Sequence, residues 1–185
     1  MTRAQEIRIQ TPWQEIAAKS WGPTSGAKVL SVHGWLDNAA SFDLLAPLLP
    51  DHHVIAIDMP GHGYSAHRPV GVPYHFVDYV ADVIAVVDAL DWQRFSFVSH
   101  SLGAGVSSVV SAVQPERIER LALIEGLGPF AGNPAQATET LANSIKQMSR
   151  SVDKHPPVYP NREQMIEARA RTGDLSLSSA RRLVE

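Results

Sequence analysis

Short apolar, β-prone runs alternate along this chain with stretches of helical periodicity, and that alternation restricts the fold more than any other feature. Residues 28–32, 53–57, 94–98 and 121–124 read as buried strands. Between the second and third, Phe76, Val80, Val83, Ile84, Val87 and Leu90 fall at three- and four-residue steps, with Asp78, Asp82 and Asp88 mostly on the opposite side. Residues 103–113, small and apolar, suit a helix, and residues 38–49 repeat Phe42, Leu45, Leu48 and Leu49 as one helix face would. Near the start, residues 6–10 and 13–20 read as short strands joined at Pro12, although Ile16, Ala17, Ala18 and Lys19 also suit a helix. Strands separated by helices imply βαβ units, a mostly parallel sheet and right-handed crossovers, so the expected class is α/β. Ligands bind such sheets beyond the carboxyl ends of the strands. The loops at 33–38, 58–65, 99–103 and 125–130 all leave strands at that end.

The character changes near Pro129. Gly132, Pro134, Pro156, Pro157 and Pro160 surround a polar helix candidate at 135–150, and amphipathic pieces follow at 162–171 and 175–184. The expected division is therefore a core at 1–129 and a helical lid segment at 130–185. With 185 residues and a net charge of −3, nothing in the charge balance suggests nucleic acid or an anionic membrane as partner. Cysteine is absent, which excludes a disulfide framework, a thiolate zinc site and a cysteine nucleophile. Residues 1–10 lack the apolar core of a signal peptide and no apolar run is long enough to span a bilayer, so the expected location is cytoplasmic.

One turn carries chemistry. Ser99-His100-Ser101-Leu102-Gly103 lies where a buried strand gives way to a helix. Small residues two before and two after a serine, here Ser99 and Gly103, let strand and helix approach while the serine takes a strained conformation with its hydroxyl exposed. A glycine usually fills the first position, and Ser99 departs from that. Ser101 is the candidate nucleophile.

His33-Gly34-Trp35 follows another buried strand. A backbone N–H from such a loop can pair with that of the residue after the nucleophile to stabilise a tetrahedral oxyanion, which assigns the donors to Trp35 and Leu102. His33 bonding its neighbouring backbone would fix the turn and aim the Trp35 amide. Asp58-Met-Pro-Gly-His-Gly-Tyr-Ser65 reads as a structural loop, because Asp58, His62 and Ser65 can all bond local backbone. Its glycines are misplaced for a phosphate loop, and no cofactor or metal is called for. Glu125, at the end of the last strand, is either the acid that orients a catalytic histidine or a solvated strand-end carboxylate.

The general base is missing. A serine hydroxyl needs one, usually histidine. Of the eight histidines, His52 and His53 start a strand at the wrong end of the sheet. His100 is expected to point into the sheet, and His67, His75 and His155 have no convincing partner.

The three motifs His33-Gly34-Trp35-Leu36-Asp37-Asn38, Asp58 to Ser65 and Ser99 to Gly103, in this order and spacing, resemble the α/β-hydrolase superfamily. Residues 16–22, 33–42 and 71–74 look closer still to its serine hydrolase-like proteins. The resemblance covers residues 7–130 well and the helical remainder loosely. It implies an eight-stranded, mostly parallel sheet with a lid after strand six and a Ser, acid and His triad. Ser101 matches the nucleophile, Trp35 and Leu102 the oxyanion donors, and Glu125 the acid of members that carry it after strand six. In that family the histidine follows the final strand, so strands seven and eight and the catalytic histidine are expected to lie outside this chain. A sheet cut after strand six would expose an apolar edge. Two readings follow: a serine hydrolase acting on a small carboxylic ester, inactive as this chain alone, or a non-catalytic relative that binds a small ligand or partner chain.

Overall fold

A computed structural model describes residues 3–129, 132–151 and 157–184. The chain divides into two compact units, Met1–Ala131 and Gly132–Glu185. In the first, strands β1 (Gln5–Gln10), β2 (Glu15–Trp21), β3 (Ala27–Val32), β4 (His52–Ile57), β5 (Phe95–His100) and β6 (Ile118–Ile124) form one sheet in the order β1-β2-β4-β3-β5-β6. The β3, β4, β5 and β6 pairings are parallel, and β1 and β2 join antiparallel at one side. Helices α1 (Phe76–Ala89) and α2 (Leu102–Val113) supply crossovers.

Alternation along each strand sorts side chains onto two faces. Leu30, Val32, Ile55, Ile57, Phe95 and Phe97 join Val83, Val86, Val106 and Val110 in the core beneath α1 and α2. Val29, Val54 and Ala56 pack on the other face with Ala39, Phe42 and Ala46. That second face departs from the expectation of one helix over 38–49. The segment forms two 3-10 turns, Ala39–Phe42 and Ala46–Leu48. Pro47 has no N–H to donate to the carbonyl of Asp43, so an α-helix cannot run through it. Asn38 caps the first turn by accepting from Ala40 N–H at 3.0 Å.

Residues 16–19 are strand, not helix, because Ile16 pairs with Ile9 and Ala18 with both Ile7 and Ile57. Trp13 falls in the preceding turn, closed by Thr11 and Gln14. Asp82, on the side of α1 opposite the apolar stripe, is buried, accepting from Trp13 Nε1 at 2.8 Å, Gln14 Nε2 at 2.9 Å and Arg68 Nη2 at 3.1 Å. Strand β6 begins three residues earlier than its apolar run suggests and forms a sheet edge, where Leu121 and Ile124 are exposed.

The second unit contains α3 (Ala137–Ser151), α4 (Arg162–Gly173) and α5 (Leu177–Val184). Asn161 caps α4 through Gln164 N–H at 2.9 Å, and Asp174 ends it in the left-handed conformation. No helix among the described residues is long and apolar enough to cross a membrane. His155 and Pro156 lie outside the described residues.

Candidate active site

Ser101 sits between β5 and α2 with φ 50° and ψ −113°, a region non-glycine residues rarely occupy. Such strain costs roughly 1–3 kcal/mol and persists only where surrounding bonds over-determine it. They do so here. Ser101 N–H donates to the Ile124 carbonyl at 2.9 Å, and Gly105 N–H donates to the Ser101 carbonyl at 3.1 Å. Gly103 N–H donates to the carbonyl of His33 at 3.1 Å, and a Cβ on Gly103 would lie 2.3 Å from the Val32 carbonyl oxygen. Only glycine allows α2 to start this close to β3. Ser99 is buried with its hydroxyl 2.6 Å from that of Ser107. The serine in place of the usual glycine thus ties β5 to α2 through a hydroxyl pair.

His33 is fully buried, and burial pushes its pKa down to about 3, so the ring is neutral at physiological pH. Its Nε2 accepts from Met59 N–H at 2.9 Å, which requires that nitrogen to be unprotonated. The proton is then on Nδ1, which donates to the Gly34 carbonyl at 2.7 Å. Asp37 N–H donates to the same carbonyl at 3.1 Å, closing a turn in which Leu36 has φ 62°. Gly34 C=O and Trp35 N–H belong to one planar trans peptide, so fixing the carbonyl on one side aims the N–H to the other. Among the described residues neither Trp35 N–H nor Leu102 N–H makes a backbone hydrogen bond. Leu102 is the first residue of α2, where a helix leaves N–H groups unsatisfied and its dipole favours negative charge.

The 58–65 loop braces this turn. Asp58 is buried and accepts from Ala39 N–H at 2.7 Å and Tyr64 N–H at 2.8 Å, while Ser65 Oγ donates to its carbonyl at 2.6 Å. His62, whose pKa burial lowers, lies between the rings of His33 and Trp35 at centroid distances of 5.0 and 5.4 Å.

Glu125 directly follows β6 with φ 53°, its side chain 80% exposed and its Oε2 3.3 Å from His100 Nε2. His100 corrects the expectation that it points into the sheet. Phe95, Phe97 and Ser99 face α1 and α2, which turns His100 to the other face, partly exposed between Glu125 and Asp37. No described histidine bonds the Ser101 hydroxyl: His33, His53, His62 and His100 engage Gly34 and Met59, Ser20, Pro60, and Glu125 respectively. His52 and His53 open β4, at the opposite end of the strands from Ser101. Among the described residues no three His, Asp or Glu side chains form a metal-binding group.

The family model of the α/β hydrolase fold matches residues 28–158. A zebrafish (Danio rerio) serine hydrolase-like protein is 44% identical over 150 residues, covering 80% of this chain and 45% of that protein. A human (Homo sapiens) serine hydrolase-like protein is 46% identical over 121 residues, covering 65% of this chain and 60% of its own length. The crystal structure of a hypothetical protein from Pseudomonas aeruginosa superposes with a TM-score of 0.91 at 44% identity, covering 99% of this chain and 64% of that one. The chain therefore spans roughly half the length of these curated relatives. Its sheet order, strained serine turn and matched family model together make the chain a member of the α/β-hydrolase fold family.

Proposed function

We propose that this chain carries the nucleophile and oxyanion half of a serine hydrolase acting on a small carboxylic ester. One observation supports it above the others: a serine held at φ 50° in a turn that Gly103 N–H bonds to the His33 carbonyl, with the N–H groups of Trp35 and Leu102 free of backbone hydrogen bonds among the described residues. Ser101 Oγ attacks the ester carbonyl and loses its proton to a base. The carbonyl oxygen becomes an oxyanion held by the two N–H groups, the alcohol leaves, and water releases the acid.

The base on this reading is a histidine supplied from outside the 185 residues, oriented by Glu125 or by a later acid. The exposed apolar residues of edge strand β6 favour further strands beside it, since strands of parallel sheets are normally covered. Residues 130–185 are assigned a lid role on the same reading. The 185-residue chain alone is expected to show negligible turnover. In the natural gene product, hydrolysis of a short-chain p-nitrophenyl ester should disappear with Ser101→Ala; hydrolysis unchanged by that substitution would remove Ser101 from the chemistry.

A second reading, a non-catalytic family member that binds a small ligand or partner chain, is favoured by the engagement of His33, His53, His62 and His100 with groups other than Ser101. A natural gene product that binds acyl compounds with no Ser101-dependent turnover would select it.

A further inference from the structure

We propose that His100 is a positioning residue that sets the oxyanion-loop peptide against the nucleophile turn. The inference rests on the serine-nucleophile reading above and adds to it a residue that touches no substrate. His100 directly precedes Ser101, and strand alternation sends its side chain away from α2 toward the 33–38 loop. There its Nδ1 lies 3.5 Å from Asp37 Oδ2. The two side chains meet over Gly34: a Cβ on that glycine would fall 2.7 Å from His100 Nδ1 and 3.0 Å from Asp37 Oδ2.

Gly34 shares its peptide with the Trp35 N–H. Its carbonyl is held by His33 Nδ1 and Asp37 N–H, while its Cα is covered by the imidazole of His100. A side chain borne on the nucleophile's own strand therefore abuts the peptide that carries the oxyanion donor and faces a carboxylate of the same turn. Displacing the ring leaves room for Gly34 to shift, and the Trp35 N–H shifts with it. A misplacement of this kind is felt at the transition state, where the donor must meet the developing oxyanion.

Of the two carboxylates beside the ring, Asp37 carries the effect. Its side chain is only 11% exposed, whereas that of Glu125 is 80% exposed, and solvent screens an ion pair so exposed. An imidazolium can donate to both carboxylates and a neutral ring to one. The same packing explains why position 34 is glycine in a turn where its φ is not positive.

The test uses the natural gene product and a p-nitrophenyl ester. His100→Phe, which keeps a ring but no N–H, is expected to lower kcat by about 10- to 100-fold with KM within about threefold, short of deleting an oxyanion donor outright. Asp37→Asn should lower kcat in the same direction. The double variant should be no worse than His100→Phe by more than about threefold, because the pair acts as one unit. His100→Gln, which restores an N–H, should recover part of the loss, and it keeps the test open if His100→Phe does not fold. Independent, multiplying effects, or a change confined to KM, would overturn the positioning role while Ser101-dependent turnover upheld the hydrolase reading. If the wild type shows no Ser101-dependent turnover, the hydrolase reading fails, and the 185-residue chain is examined by NMR instead. There His100→Phe must move the Trp35 and Leu36 amide resonances and speed exchange of the Asp37 N–H; unchanged resonances would overturn the inference.

Discussion

Gly103 N–H donates to the His33 carbonyl at 3.1 Å, bonding the first turn of α2 to the end of β3 one residue before the Gly34–Trp35 peptide. The Ser101 turn and the 33–37 loop are thereby one hydrogen-bonded unit. Each borrows its conformation from the other, and damage at the junction should disturb both.

Gly103→Ala places a methyl 2.3 Å from the Val32 carbonyl oxygen and 2.7 Å from that of His33, both rigid backbone atoms. Overpacking of this kind costs about 1–3 kcal/mol or more, and α2 must withdraw from β3. Urea unfolding should show the loss in stability, and any Ser101-dependent turnover should fall further than stability alone explains. A variant as stable as the wild type would mean the close approach is not required.

His33→Ala removes the acceptor of the buried Met59 N–H and the donor to the Gly34 carbonyl. An unsatisfied buried group costs about 1–3 kcal/mol, and the vacated volume adds to it. A thermal unfolding midpoint lowered by several degrees is expected, with the Trp35 amide losing its fixed orientation.

The same residue gives a pH dependence. His33 is held near pKa 3 by burial, well below the value of about 6.5 for a free histidine, and burial lowers His62 too. The unfolded chain therefore binds protons that the fold refuses, and the stabilisation is full above pH about 6.5 and lost as pH falls toward about 3. For His33 alone the slope approaches about 1.4 kcal/mol per pH unit. Asp82, raised by burial, opposes this only near the carboxylate range. Urea unfolding from pH 7.5 to 5 should show stability falling with acid, and His33→Gln should flatten the slope; equal slopes would contradict the assignment.

Asp82→Ala strips Arg68, Trp13 and Gln14 of a shared partner. Breaking a buried pair by removing one member costs about 3–5 kcal/mol, tempered here because Arg68 also reaches Asp78. The turn between β1 and β2 should loosen from α1. Chemical denaturation and a change in Trp13 emission would report it.

The strands were legible because buried parallel strands are short, continuous apolar runs, and β3, β4 and β5 left little else for those residues to do. The strained serine turn was legible for the same reason: a small-x-Ser-x-Gly string means little until a strand precedes it and a helix follows. The burial of Asp82 was not legible, because its partners Trp13 and Gln14 lie 69 and 68 residues away and only the folded chain brings them together. Its place on α1 opposite the apolar stripe is correct, but the β1–β2 turn covers that side. His100 was within reach of the sequence. Once Ser99 is assigned to the face beneath α2, alternation puts His100 on the other, but Asp37 as its neighbour depends on the turn at 34–37. The two 3-10 turns at 39–48 were signalled by Pro47 and outweighed by the spacing of leucines.

Covalent labelling by a fluorophosphonate, mapped by peptide mass spectrometry in the natural gene product, tests the nucleophile most directly. The reagent needs an activated serine and donors for its phosphoryl oxygen, but no particular substrate pocket. A single adduct on Ser101, absent after Ser101→Ala, is the expected result. An unlabelled Ser101 beside a control hydrolase that reacts fully would contradict its role as nucleophile.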